Sequence, residues 1–344
     1  MKAVVLEKQG SIVIKDMNIV GKMTPDSVRI KVRNVGVCGS DVHYYTHGRI
    51  GHYVVNEPMI LGHEAAGEVI EVGANVKNLK PGDRVCMEPG IPNARSQASK
   101  LGLYNLDPDV VFWATPPIHG CLIEEVIHPA EYVYKLPENV SLAEGAMVEP
   151  LAIGVQAAKK ARIVPGDTAV VIGAGTIGIM CAISAMAGGC GRVFVTDNKK
   201  EKLDIAGSYE GITPIEISKQ DALKTVLDAT DGWGAEVVMD ASGAPAVYPG
   251  FAKYSCPGGK VVLVGIPIDP VPFDIALIQS KELDIASVFR YANVYPRALN
   301  LIASGKIDVK RLISKTYPFA KAVEAFEQAA RLEPNIVKIM IELA

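Results

Sequence analysis

A chain of 344 residues is longer than one hydrophobic core comfortably supports, so two domains are expected. With 49% hydrophobic and 21% charged residues, 32 glycines and 22 prolines, its composition is that of a folded, turn-rich protein and argues against disorder. A formal net charge of -3 leaves no basic footprint for nucleic acid or an anionic membrane. The start MKAVVLEKQG has no apolar signal core, and no apolar run reaches the ~18 residues of a membrane span, so a cytoplasmic protein acting on small molecules is expected.

From the start to about Glu149, short β-rich runs (KAVVLE, SVRIKVRNVGV, EAAGEVIEVG, DRVCMEPG) are broken by Gly, Pro and Asp. They predict an irregular, mainly β domain. Two polar constellations lie in it. GVCGSDVHYY supplies Cys38, Ser40, Asp41, His43 and Tyr44, and ILGHEAAG supplies His63 and Glu64. A catalytic zinc takes about three protein ligands of N, S or O type and keeps one position open. Cys38, His63 and a carboxylate suit that need, and the short glycine-flanked segments holding them can present side chains to a ligand. A lone His or Cys is more often structural; the combination is what points to a metal. The other cysteines, Cys86, Cys121, Cys181, Cys190 and Cys256, lack CxxC spacing and read as reduced core residues. Glu149, in AMVEPLAIG, offers another carboxylate, although a Glu before Pro150 is also an ordinary helix start.

After Pro150 the texture changes. Apolar strands (TAVVIG, RVFVTD, AEVVMD, GKVVLVG, ELDIASVF) alternate with segments long enough for crossover helices, which predicts a doubly wound parallel sheet. The strand Thr168 to Ile172 runs into Gly173-Ala174-Gly175-Thr176-Ile177-Gly178, an apolar helix follows, and Asp197 ends the next strand, 24 residues after Gly173. In that context the GxGxxG is a dinucleotide site: Gly173 allows the turn, Gly175 the approach of the pyrophosphate and Gly178 close helix packing. Asp197 accepts from the ribose hydroxyls and repels a 2'-phosphate, favouring NAD over NADP. Lys199, Lys200 and Lys202 read mainly as a solvated helix face. From about Arg290 onward, a helical AVEAFEQAARL and a strand-like NIVKIMIEL either extend the sheet or return to the first domain.

The segments CGSDVHYYTHGRIG, LGHEAAG, PGDRVCMEPG, YNLDPDVVFWATPPIHG, MVEPLAIGV, GAGTIG and VFRYAN occur in the order seen in the zinc-dependent medium-chain dehydrogenases, and the chain most resembles their sorbitol/xylitol (polyol) subfamily. The resemblance implies an α/β protein with a GroES-like catalytic domain over 1–150 and 291–344 and a Rossmann NAD-binding domain over 151–290. It implies one catalytic zinc on Cys38, His63 and Glu64, with Glu149 either beside the metal without binding it or an alternating ligand, and a proton path through Glu149, Ser40 and His43. It assigns substrate contacts to Tyr44, Phe112, Thr115, Arg290 and Tyr291. The cofactor set becomes Gly173, Gly175, Ile177, Gly178, Asp197, Lys202, Val264, Gly265, Ile266, Val288 and Phe289.

Many members hold a second, structural zinc with the spacing C-x2-C-x2-C-x7-C, where this chain has Asn93, Ser96, Ser99 and Asp107. Those are poor zinc ligands. The lobe is therefore expected to lack metal and to be held by packing of Leu101, Leu103, Tyr104 and Leu106 and by hydrogen bonds. The implied activity is NAD-dependent oxidation of a polyol such as sorbitol or xylitol at its second carbon, by a homotetramer. The alternatives are an L-threonine or other secondary-alcohol dehydrogenase, and a nucleotide-binding structural protein, which would have no use for a zinc triad.

Overall fold

The computed structural model describes residues 1–19 and 21–344. The chain divides into two compact units, Met1–Glu149 with Tyr295–Ala344, and Pro150–Val294.

The first unit is built around the strand Ser27–Val37, whose β-branched residues Val28, Ile30, Val32 and Val35 are fully buried. Among the described residues this strand belongs to a seven-stranded sheet. It pairs antiparallel with Glu64–Val72, with Glu125–Pro129 and, at its end, with Lys338–Glu342. The C-terminal strand thus returns to the first unit, the second of the two courses open to it. Register decides what meets: Gly36 lies opposite Glu64, and Val37 opposite Ile339. A smaller sheet, Ser11–Asp16, Lys2–Lys8 and Met59–Ile60, packs Val4, Leu6 and Ile60 into the same core.

In the second unit six parallel strands stand in the order Ile212–Glu216, Arg192–Asp197, Thr168–Ile172, Ala235–Asp240, Ser255–Leu263, Asp284–Ser287 among the described residues. The inner strands are buried almost throughout, as a parallel sheet covered on both faces requires. The chain winds outward from Thr168–Ile172 in one direction and then, through Ala235–Asp240, in the other. Ligands of such sheets bind at that switch point, outside the carboxyl ends of the strands.

The lobe at 93–107 corrects one expectation. Leu101, Leu103 and Leu106 are 67%, 42% and 50% exposed, so these leucines do not hold it by packing. Polar contacts do. Asp107, 3% exposed, accepts from the Asn93 N–H and, at 3.2 Å, from the Asp109 N–H. The Ser96 hydroxyl donates to Ser99 Oγ at 3.0 Å and caps the short helix Gln97–Lys100 by accepting from the Ser99 N–H at 3.1 Å. The four positions of the spacing motif thus fall into two hydrogen-bonded pairs. Tyr104 anchors the lobe below: its hydroxyl donates to the buried Glu88 at 2.6 Å, beside that of Tyr134 at 2.9 Å. Burial pushes the Glu88 carboxyl up, against the pull of the two tyrosines.

Removing a buried acceptor costs about 1–3 kcal/mol. Asp107→Ala is therefore expected to raise the rate of the first proteolytic cuts within 93–107 by about tenfold, with the rest of the fold intact. Early cleavage that avoids 93–107 in both proteins would contradict the assignment.

Candidate metal centre and nucleotide site

Cys38 follows the central strand directly and, with φ -87° and ψ 150°, sits at the N-cap of the helix Gly39–His47. The helix turns Asp41 fully inward. One Asp41 oxygen accepts from the Gly62 N–H at 3.2 Å; the other faces His63 Nδ1 at 3.5 Å, and neither of those last two atoms has a hydrogen-bond partner. Gly62 has φ 90°, and a Cβ there would lie 2.9 Å from Leu122, so both backbone and space require glycine.

Among the described residues, one cluster offers three metal-ligating atoms together: Cys38, His63 and Glu64, all within 4.8 Å of one another. Thiolate, imidazole and carboxylate form a zinc donor set with room for a fourth ligand. Asp41 behind His63 is the arrangement that fixes a ligating imidazole's tautomer and aims its other nitrogen forward. Burial works against a proton on His63, yet Asp41 and Cys38 outweigh it and hold its pKa well above the ordinary value. The donor set fits zinc, and so do the two buried atoms left without a hydrogen-bond partner, Asp41 Oδ2 and His63 Nδ1, which face each other behind the ring nitrogen that would bind the metal.

Lys338, only 3% exposed, brings its Nζ to 2.7 Å from both oxygens of Glu64 and also donates to Val37 O at 3.1 Å. Burial works against the ammonium, but Glu64 leads the neighbours that raise its pKa. A Cβ at Gly36 would collide with Glu64 Oε2, so only glycine leaves space for this carboxylate. Sequence reasoning missed Lys338. Its only signal was a lysine within an apolar terminal strand, and its partner lies 274 residues away.

The remaining predicted residues of this unit divide. Phe112 packs its ring 5.9 Å from that of His63, Thr115 donates its N–H to Phe112 O at 3.2 Å, and Tyr44 is 4% exposed. Glu149, buried in the first turn of Val148–Ala161, adds to the field on Lys338 but is not among the three converging ligands. His43 Nδ1 pairs with Arg49 O at 2.9 Å and its ring stacks on His47; no hydrogen bond joins it to Ser40.

In the second unit Gly173 has φ 101°, and a Cβ at Gly178 would overlap its carbonyl oxygen, so the turn and the helix Thr176–Gly188 demand these glycines. A Cβ at Gly175 would meet nothing, which leaves open space at the helix N-terminus for a diphosphate. Asp197 accepts from the Ala174 N–H at 2.7 Å and the Lys199 N–H at 2.9 Å, tying the strand end to the glycine loop. Ile177 and Lys202 are half-buried. On the other side of the switch point, Val264 and Gly265 donate their N–H groups to Asp240 O at 2.8 Å. A Cβ at Gly265 would strike Gly243, while Ile266 stands 68% exposed. Val288 donates to Leu263 O at 2.9 Å, and Arg290, at φ 53°, stacks its guanidinium 4.9 Å over Phe289; Tyr291 is buried.

Cys38→Ser and His63→Ala are each expected to leave below about a tenth of an equivalent of bound zinc, together with loss of activity; a variant retaining both would sink the assignment. Lys338→Met strands Glu64 as a buried charge, a loss of about 3–5 kcal/mol. Zinc compensates that charge, so the loss measured by denaturant unfolding is expected to be smaller in the zinc-loaded protein. An equal loss in both forms would remove Glu64 from the metal.

Residues 24–138 match the alcohol dehydrogenase GroES-like domain and residues 176–304 the zinc-binding dehydrogenase domain. A Rhizobium meliloti (strain 1021) protein provisionally named a D-xylulose reductase is 58% identical over 99% of both chains, and a Morganella morganii D-xylulose reductase is 55% identical over 96% of this chain and 98% of its own. Among solved structures, an Escherichia coli oxidoreductase/dehydrogenase of unknown specificity superposes with TM-score 0.95 at 34% identity, covering 100% of this chain and 99% of that one. With the GroES-like and Rossmann halves in place and relatives of this identity along the full length, the chain belongs to the zinc-dependent medium-chain dehydrogenases, in their polyol dehydrogenase subfamily.

Proposed function

We propose that this protein is an NAD-dependent polyol dehydrogenase that oxidises a secondary hydroxyl at the second carbon of a sugar alcohol such as xylitol or sorbitol to the ketose. The observation that carries the reading is the convergence of Cys38, His63 and Glu64 in a chain 55% identical to a D-xylulose reductase. Bound zinc supplies Lewis acidity to the substrate hydroxyl, and NAD supplies the hydride acceptor.

The chain's own residues do the rest. Cys38, His63 and Glu64 hold the metal, Asp41 orients His63, and Lys338 restrains Glu64. Glu149, with its negative charge near Lys338, is proposed as the alternating ligand, and Ser40 and His43 as the outward proton path. Tyr44, Phe112 and Thr115 surround the reacting carbon; Arg290 and Tyr291 are proposed as contacts to further hydroxyls from the resemblance alone. A site built to pair hydroxyls rejects substrates that lack them strongly. Asp197, with Gly173, Gly175 and Gly178, is proposed to select NAD.

We further propose a single zinc per chain, the 93–107 lobe carrying none, and a cytoplasmic homotetramer. The lobe's hydrogen-bonded pairs support the first point. For the second, Asp284–Ser287 is an edge strand with Ile285 38% exposed, an unpaired row of backbone groups that favours strand pairing between subunits. No described helix is long and apolar enough to cross a membrane.

The test is NAD reduction over xylitol, sorbitol, galactitol, L-arabinitol, L-threonine and ethanol, with and without a zinc chelator. Chelator-sensitive turnover of one or more polyols, with ethanol at least about a hundredfold poorer in kcat/KM, is the expected result. Silence on every polyol with turnover of L-threonine would move the function to the secondary-alcohol reading.

A further inference from the structure

Phe112, whose ring packs 5.9 Å from that of His63, has no polar group with which to fix its own position. It lies on a two-residue strand, Val111–Phe112, paired antiparallel with Gly90–Ile91 so that Phe112 faces Gly90. The fit is close: a Cβ at Gly90 would stand 3.1 Å from the Phe112 ring. So short a ladder is marginal alone, and the loop 92–110 that closes it is long. The lobe at 93–107 is the body of that loop.

Glu88 holds this arrangement from three sides. Its carboxylate, in a residue 1% exposed, accepts from Tyr104, within the loop, at 2.6 Å and from Tyr134, on the strand Val133–Lys135, at 2.9 Å. Its carbonyl oxygen accepts from His128 Nε2 at 2.8 Å, and the His128 ring lies 4.5 Å from the ring of Trp113, the neighbour of Phe112. Beside it, Pro89 O accepts from the Trp113 N–H at 3.2 Å. Each step from the Glu88 carboxylate to the Phe112–Trp113 pair is thus a hydrogen bond, a ring contact or a paired strand. A buried carboxylate without donors is costly, so Glu88 and the two hydroxyls keep one another in place.

We infer that Glu88, through Tyr104 and Tyr134, is a positioning residue for the reaction: it clamps the loop 92–110 to the sheet and so sets Phe112 against His63. The inference rests on the polyol reading for what Phe112 touches, and adds to it a residue that governs substrate binding without touching substrate.

The test is a double-mutant cycle of Tyr104→Phe and Phe112→Ala on the zinc-loaded enzyme, with xylitol and sorbitol as substrates. Tyr104→Phe, which removes one hydrogen bond to a charged acceptor, is expected to raise the polyol KM by about tenfold. Its kcat, its KM for NAD and its zinc content should stay within about twofold of the parent. Glu88→Gln keeps an acceptor and gains a donor for the two hydroxyls, and should stay within about threefold. In the Phe112→Ala background, Tyr104→Phe should alter kcat/KM by less than about twofold, because the ring it acts through is gone. An unchanged KM with faster nicking inside 93–107, or the same loss with and without Phe112, would mean a purely structural bond and overturn the inference.

Trp113, 8% exposed, gives a readout without turnover. The chain has two tryptophans, so Trp233→Phe leaves Trp113 as the sole emitter. Acrylamide quenching in that background is expected to rise about threefold with Tyr104→Phe, as the loop opens locally. If the parent oxidises no polyol, the functional reading fails and the clamp is judged on Trp113 alone. Quenching that Tyr104→Phe leaves unaltered would overturn it in either case.

Discussion

The buried ion pair between Lys338 and Glu64 is the contact on which the site depends. Neither group is stable alone in the interior, because an unpaired buried charge costs several kcal/mol. Together they satisfy each other: the ammonium meets both carboxylate oxygens at 2.7 Å and spends another donor on Val37 O. Such a pair is weak evidence for net stability, since apolar residues of equal volume often serve as well. Its value here is positional. It joins the strand Lys338–Glu342 to the strand that begins at Glu64, across the end of Ser27–Val37, immediately before Cys38.

Asp41 performs the matching task for His63. One of its oxygens takes the Gly62 N–H, and the other stands 3.5 Å from the imidazole without a hydrogen bond of its own. Glycine makes both supports possible, at Gly36 because a side chain would occupy the position of the Glu64 carboxylate, and at Gly62 because the chain bends at positive φ against Leu122. The nucleotide loop uses the same two devices, tight approach at Gly178 and positive φ at Gly173. At Gly178 a side chain would strike backbone, at Gly62 and Gly173 it would be strained by positive φ, and at Gly36 it would displace the Glu64 carboxylate.

Much of this was legible in the sequence. The change of texture at Pro150 and the strand–GxGxxG–helix unit are short-range patterns that periodicity and spacing report, while Cys38, His63 and a carboxylate stood out by residue type and Glu64 was singled out by the family resemblance. What escaped was long-range or depended on exposure. Lys338 gives no local sign of Glu64. The apolar residues Leu101, Leu103 and Leu106 resembled a small core, yet they lie at the surface while Asp107, polar in composition, is buried among backbone donors. Composition tells which residues prefer burial; the supply of nearby N–H groups decides which polar ones achieve it. A cavity in the first unit escaped for a related reason, since it forms only where 52–59 meets 116–119.

These features separate two parts of the first unit. Ligand geometry at a metal tolerates little displacement, and Cys38, His63 and Glu64, the residues proposed to hold one, stand at the ends of paired strands, with Asp41 behind His63 and Lys338 on Glu64. The segments 52–59 and 116–119 stand apart from that bracing and line a cavity of their own, tied to the strand Met59–Ile60 by the Ile60 N–H, which donates to His119 Nδ1. The join between the two is narrow: the three residues Ile60, Leu61 and Gly62 connect the cavity wall to His63. Cys38, His63 and Glu64 thus keep their places through the strand ends, Asp41 and Lys338 rather than through those loops.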